Sequence, residues 1–199
     1  MLLSLAAAAF AEGPRVVVAL GDGIVVSPTA HEAVPGGIAA VLADCLEERS
    51  PKRFSVVDRS VAGETLASAR PKVTEIVGLG PAWVVVTLGA RELADPSVDP
   101  AKLAADVAQL AGELGSGPAR TVLLVGALPA AADGDGAALE SRVAAFNAKL
   151  QALSAPGLVS LEPGRGKRPK EGLVEANRLS AAGQARVAAA ICDVVLSSP

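Results

Sequence analysis

Arg15-Val16-Val17-Val18-Ala19-Leu20-Gly21-Asp22-Gly23-Ile24 is the stretch on which the reading of the whole chain turns. An unbroken apolar run from Val16 to Leu20 enters a Gly-Asp-Gly turn. A strand with one wet face alternates apolar and polar residues, whereas a continuous run marks a strand covered on both faces, as in a parallel sheet. Similar short runs follow at Phe54–Asp58, 83–88, 121–128 and 158–161. Between them lie longer amphipathic stretches. Residues 36–48 place Ile38, Val41, Leu42, Cys45 and Leu46 on one helical face, and 137–153 does the same with Leu139, Val143, Phe146 and Leu150. Residues 65–77 read as a helix that Pro71 should kink or delay, and 102–114 as another. The last helix is expected to open at Ser180 as its N-cap and to bury Val187, Ile191, Val194 and Val195. Strands alternating with helices predict a three-layer α/β/α domain around a parallel sheet. Ligands in such sheets bind at the carboxyl ends of the strands.

Composition narrows the function classes. The chain has 199 residues, 51% of them hydrophobic but only 2% aromatic, and no tyrosine. Its core must be built from Val, Leu, Ile and Ala, and few rings are left on which to stack bases or sugars. A net charge of -3 gives no basic footprint for nucleic acid. The densest basic patch, 165–170, is short and reads as a solvated loop. No internal repeat appears, and residues 130–136 and 163–172 read as loops. Residues 1–11 are apolar and end in Ala9-Phe10-Ala11, which matches an A-x-A cleavage site. They read as a signal-peptide remnant, too short to span a bilayer, before a single domain at 12–199. A periplasmic or secreted protein is expected, with the cytoplasm as the alternative. Cys45 and Cys192 are too distant in sequence for a metal or redox motif; they are buried thiols or, after export, a disulfide.

The segments that follow the first three strands are Gly21-Asp22-Gly23-Ile24, Arg59-Ser60-Val61-Ala62-Gly63-Glu64-Thr65 and Gly89-Ala90-Arg91-Glu92-Leu93. Before the last helix stands Glu175-Ala176-Asn177-Arg178-Leu179-Ser180. In this order and spacing the four segments resemble the sequence blocks of the SGNH (GDSL-type) hydrolase superfamily, which holds esterases, thioesterases, lysophospholipases and carbohydrate acetylesterases. The resemblance runs from Val16 to Val195. It implies a flavodoxin-like, five-stranded parallel sheet in the order 2-1-3-4-5, with the site where the loops converge. It also implies that Gly23 occupies the place of the nucleophilic serine of Gly-Asp-Ser. Gly63 matches the glycine whose amide steadies the oxyanion. Arg91 stands where the oxyanion asparagine is expected, with Glu92 after it. Glu175 and Arg178 stand in the places of the acid and the basic histidine.

Those substitutions remove the mechanism. Acyl transfer needs a nucleophilic oxygen, a base that titrates near neutrality and donors aimed at the oxyanion. Gly23 has no hydroxyl, and Arg178 stays protonated at ordinary pH. His31, the one histidine, lies in the loop after the first strand and reads as exposed; Ser27 and Ser60 are the hydroxyls near it in sequence. No cofactor fingerprint or metal-ligand cluster is legible, since Gly21-x-Gly23 lacks the third glycine of a dinucleotide loop. Asp22, Arg91, Glu92, Glu175 and Arg178 then admit two readings: a salt-bridged plug, or an arginine fork for a small anionic ligand. Three function classes follow. They are a non-catalytic pseudoenzyme that binds such a ligand or a protein partner, an ester hydrolase with a rearranged site, and a structural subunit of an envelope assembly.

Overall fold

The computed structural model describes residues 13–22, 37–51, 53–117, 121–127, 136–153, 158–161, 173–175, 178–179 and 181–197. In chain order the elements are β1 (Arg15–Gly21), α1 (Gly37–Arg49), β2 (Phe54–Asp58), α2 (Leu66–Ala69), a 3₁₀ turn (Arg70–Lys72) and α3 (Val73–Gly78). There follow β3 (Trp83–Thr87), α4 (Ala90–Leu93), α5 (Pro100–Leu114), β4 (Thr121–Val125) and α6 (Gly136–Ala152). The chain closes with β5 (Leu158–Leu161), a hairpin of β6 (Leu173–Glu175) and β7 (Arg178–Leu179), and α7 (Ala181–Ser197). The main sheet has five parallel strands in the order β2-β1-β3-β4-β5, as the resemblance implied.

The apolar runs form strands because both faces of the sheet are covered, and alternate residues go to opposite cores. Val18 and Leu20 of β1, Val84 and Val86 of β3, and Val122 and Leu124 of β4 pack with Ile76, Val107, Leu110 and Phe146 on one side. Val17, Trp83, Val85, Leu123 and Val125 pack with Ile38, Leu42, Leu46, Val187 and Ile191 of α1 and α7 on the other. Trp83, the single tryptophan, is 1% exposed, and most of the rest is aliphatic.

Three local details refine the expectations. Pro71 interrupts residues 66–78 into α2, the 3₁₀ turn and α3, because it has no N–H to continue an α-helical ladder. Helix α5 begins two residues before the periodic face suggests, since Asp99 caps it by accepting from the Ala101 N–H at 2.8 Å and Pro100 suits its first position. The β6–β7 hairpin was not expected from sequence, its strands being too short to show a period. Leu128 and Ser180 lie outside the described residues. Cys45 and Cys192 form a disulfide, Cα to Cα 6.5 Å, that ties α1 to α7 across 147 residues of chain.

Candidate functional site

The order β2-β1-β3 makes the carboxyl ends of β1 and β3 the switch point of the sheet, and Gly21 is there the register partner of Thr87. Gly21 is held on both sides. Its carbonyl accepts from the Val61 N–H at 3.1 Å, and the next amide, of Asp22, donates to the Thr87 carbonyl at 2.9 Å. Its φ is 147°, and a Cβ would lie 2.1 Å from Thr87 Oγ1 and 2.3 Å from the Thr87 carbonyl oxygen. Only glycine fits there. Asp22 is 7% exposed, and its Oδ1 accepts the Gly63 N–H at 3.0 Å. Gly63 has φ 74° with open space where a Cβ would stand, so its conformation rather than crowding asks for glycine. The loops after β1 and β2 are thus joined at Asp22 and Gly63. Gly23, Ser27 and His31 lie outside the described residues.

The loop after β3 begins at Gly89, with φ 107°, where a Cβ would meet Phe146 Cζ of α6 at 2.6 Å. This close approach sets the start of α4, which carries Arg91 and Glu92. Glu92 turns to the second loop: its Oε1 accepts the Leu66 N–H at 2.6 Å, at the opening of α2, while its buried Oε2 has no partner. Arg91 is exposed and makes no ion pair among the described residues. Asp22 and Glu92 therefore serve backbone amides of the second loop rather than Arg91. Glu175 and Arg178 face each other as register partners in the β6–β7 hairpin; their side chains are outside the description.

The sequence reading passed over a polar cluster beneath the second loop. Glu64 is 2% exposed and takes Lys72 Nζ at 2.6 Å on one carboxylate oxygen and the Ser68 hydroxyl at 3.0 Å on the other. Lys72 also donates to the Arg59 carbonyl at 2.9 Å. Thr65 and Ser68 cap α2 reciprocally. The Thr65-x-x-Ser68 spacing could have signalled that cap, but nothing in it signals burial of the preceding glutamate. Ser60 Oγ, in the same loop, is buried without a partner. Beyond α4, Arg142 of α6 donates to the carbonyls of Asp95 and Val98 and fixes the path into α5. The Ser97 N–H and hydroxyl, with Arg142 adding to them, hold the Asp95 carboxyl below its ordinary 3.8.

No family profile matches the sequence, and no curated relative does. Solved structures do. A member of the lipolytic G-D-S-L family from Veillonella parvula superposes with a TM-score of 0.73 at 12% identity, over 92% of this chain and 100% of that one. A carbohydrate acetylesterase family member from Sinorhizobium meliloti gives 0.71 at 13%, over 91% and 97%. A lipase/acylhydrolase from Enterococcus faecalis gives 0.68 at 19%, over 91% and 95%.

The chain has the SGNH hydrolase fold.

At such identities the likeness carries the fold and not the chemistry. In this SGNH fold the described part of the site is a frame of backbone turns cross-linked by carboxylates. Its one exposed cation on the third loop is Arg91. Among the described residues no cluster of His, Cys, Asp or Glu is placed to hold a metal ion.

Proposed function

We propose that this SGNH-fold protein is a non-catalytic binding protein, whose former ester-hydrolase pocket holds a small anionic ligand or the acidic side chain of a protein partner. The observation that carries the reading is a hydrogen-bonded frame of the first two loops, followed in sequence by a residue without a hydroxyl. Gly21, Asp22 and Gly63 keep their turns and mutual hydrogen bonds, while the residue after Asp22 is Gly23, which has no hydroxyl. Two further facts support it. The Gly63 amide, which would steady an oxyanion, already donates to Asp22 at 3.0 Å. Arg91, in the place of the asparagine donor, is a permanent cation whose planar fork suits a carboxylate or phosphate.

Export from the cytoplasm belongs to the same proposal. The apolar run 1–11 has the pattern of a secretory signal, and the Cys45–Cys192 disulfide suits an oxidising compartment.

The test pairs hydrolysis with binding. Purified protein is assayed on p-nitrophenyl acetate and longer acyl esters beside Gly23→Ser/Arg91→Asn/Arg178→His. The parent is expected to show no turnover above buffer. Its melting temperature is expected to rise with acetate, longer carboxylates or inorganic phosphate, and Arg91→Ala to abolish the rise. Turnover by the parent that His31→Ala removes would overturn the proposal in favour of an ester hydrolase with a rearranged site. A melting temperature indifferent to every anion would remove the ligand half of it.

A further inference from the structure

The Cys45–Cys192 bridge joins two sulfurs in unlike surroundings. Cys45 of α1 is partly buried at the margin of the core that α1 and α7 share, while Cys192 of α7 is 0% exposed. An incoming thiolate therefore has access to Cys45 and not to Cys192. Arg49 closes α1 one turn after Cys45, and its guanidinium reaches across to α7. Its Nη1 donates to Cys192 Sγ at 3.8 Å and to Asp193 Oδ1 at 2.5 Å. A thiolate set free in an apolar core is costly, as an unpaired charge there always is. A guanidinium already in contact with that sulfur lowers the cost and makes Cys192 the better leaving group. The neighbouring Asp193 carboxylate draws on the same cation and works against it. A staple buried at both sulfurs would offer neither the entry nor the exit.

We propose that the bridge is a thiol–disulfide exchange site with a fixed polarity: a thiol reductant attacks Cys45, and Cys192 leaves as a thiolate held by Arg49. In the first step the reductant's sulfur bonds to Cys45 Sγ and the Cys45–Cys192 bond breaks. Its electron pair stays on Cys192 Sγ, which then takes a proton from water. In the second step another reductant thiolate attacks the reductant's own sulfur in the mixed disulfide, and Cys45 leaves and is protonated in turn. The protein gains two electrons and two protons, and two reductant thiols become one disulfide. The exchange unties α1 from α7. In chain order α1 follows the segment with Gly23, and α7 follows the hairpin with Glu175 and Arg178. The bridge thus links the helices that follow two of the four segments of the candidate site.

The test exposes the oxidised, folded full chain to reduced glutathione without denaturant. Samples are quenched in acid at short times, unfolded, alkylated with N-ethylmaleimide and mapped by mass spectrometry. Glutathione is expected on Cys45 and the maleimide on Cys192 of the same molecule. Arg49→Gln should slow this first step roughly threefold, and Arg49→Lys should restore part of the rate. Asp193→Asn removes the same ion pair from its other side, yet should speed the step by a similar factor, because it leaves the guanidinium to the sulfur. A bridge that opens only when the helices come apart predicts something else: both variants lose the Arg49–Asp193 pair, and both would exchange faster. Glutathione on Cys192, acceleration by Arg49→Gln, or equal rates in the parent and the two variants each overturns the proposal. So does a folded parent that does not exchange at all.

Discussion

Gly21 and Gly63 look alike in the sequence, each a glycine just past a strand, but the structure asks different things of them. At Gly21 a side chain would collide with the Thr87 hydroxyl and carbonyl, and the carbonyl belongs to the central strand of the sheet and cannot retreat. At Gly63 a methyl group would meet nothing within 4 Å, so only the φ of 74° resists it. Gly21→Ala is therefore expected to destabilise the fold by more than about 3 kcal/mol, from a steric clash joined to backbone strain. Gly63→Ala should cost only about 1–2 kcal/mol. Urea unfolding of both variants checks this, and an equal loss at the two sites would show that the close approach of β1 and β3 relaxes. Arg91 and Glu92 make the same point about charge. Adjacent in sequence and opposite in sign, they read as a pair, but Glu92 bonds the Leu66 amide at 2.6 Å and leaves Arg91 exposed. A partly buried backbone N–H is costly to leave without a partner, and the carboxylate that reaches it is held there.

At the scale of elements, the segment from the second loop through α3 shows how an interrupted helix is kept in place. A helix of four residues such as α2 has almost no stability of its own. It is anchored by its Thr65–Ser68 cap, by Glu92 on its first amide and by the Glu64–Lys72 pair that bridges the loop to the 3₁₀ turn. The Glu64 side chain is 1% exposed and that of Lys72 23% exposed, so this pair is desolvated enough to matter. Lys72→Met should leave a buried carboxylate with too few donors and cost about 2–3 kcal/mol. Glu64→Gln/Lys72→Met should recover part of that loss. A double-mutant cycle by thermal melting measures it, and strict additivity would mean that the two side chains do not act together. Periodicity located α1, α5, α6 and α7 to within about two residues at most ends, because each presents an apolar stripe to one face of the sheet. It was silent on α4 and the β6–β7 hairpin, which are too short for a period and are set by what surrounds them.

For the whole molecule, α1 and α7 cover one face of the sheet, and the Cys45–Cys192 disulfide and the Arg49–Asp193 bridge both join them. A link that closes 147 residues of chain restricts the unfolded state strongly. Cys45→Ser/Cys192→Ser is expected to lower stability by about 2–4 kcal/mol while leaving the sheet intact. Reductant should lower the melting temperature of the parent to near that of the variant and leave the variant unmoved. Two freely alkylated thiols in the native, unreduced protein would show that the bridge does not form.

What the sequence determined by itself was the fold and the residue types carried by the loops after its strands. Continuous apolar runs require a sheet covered on both faces, and the alternation with helices makes that sheet parallel. The absence of a hydroxyl at Gly23 is a matter of covalent structure that no folding can change. What only the tertiary structure decided was partnership. It alone showed that Asp22 and Glu92 serve amides of the second loop, that Cys45 meets Cys192, and that Arg49 of α1 reaches the Cys192 sulfur. Periodicity reports which face of an element is buried, since that depends on neighbours in the chain. Which polar group meets which depends on distances across the fold, and no local pattern records them.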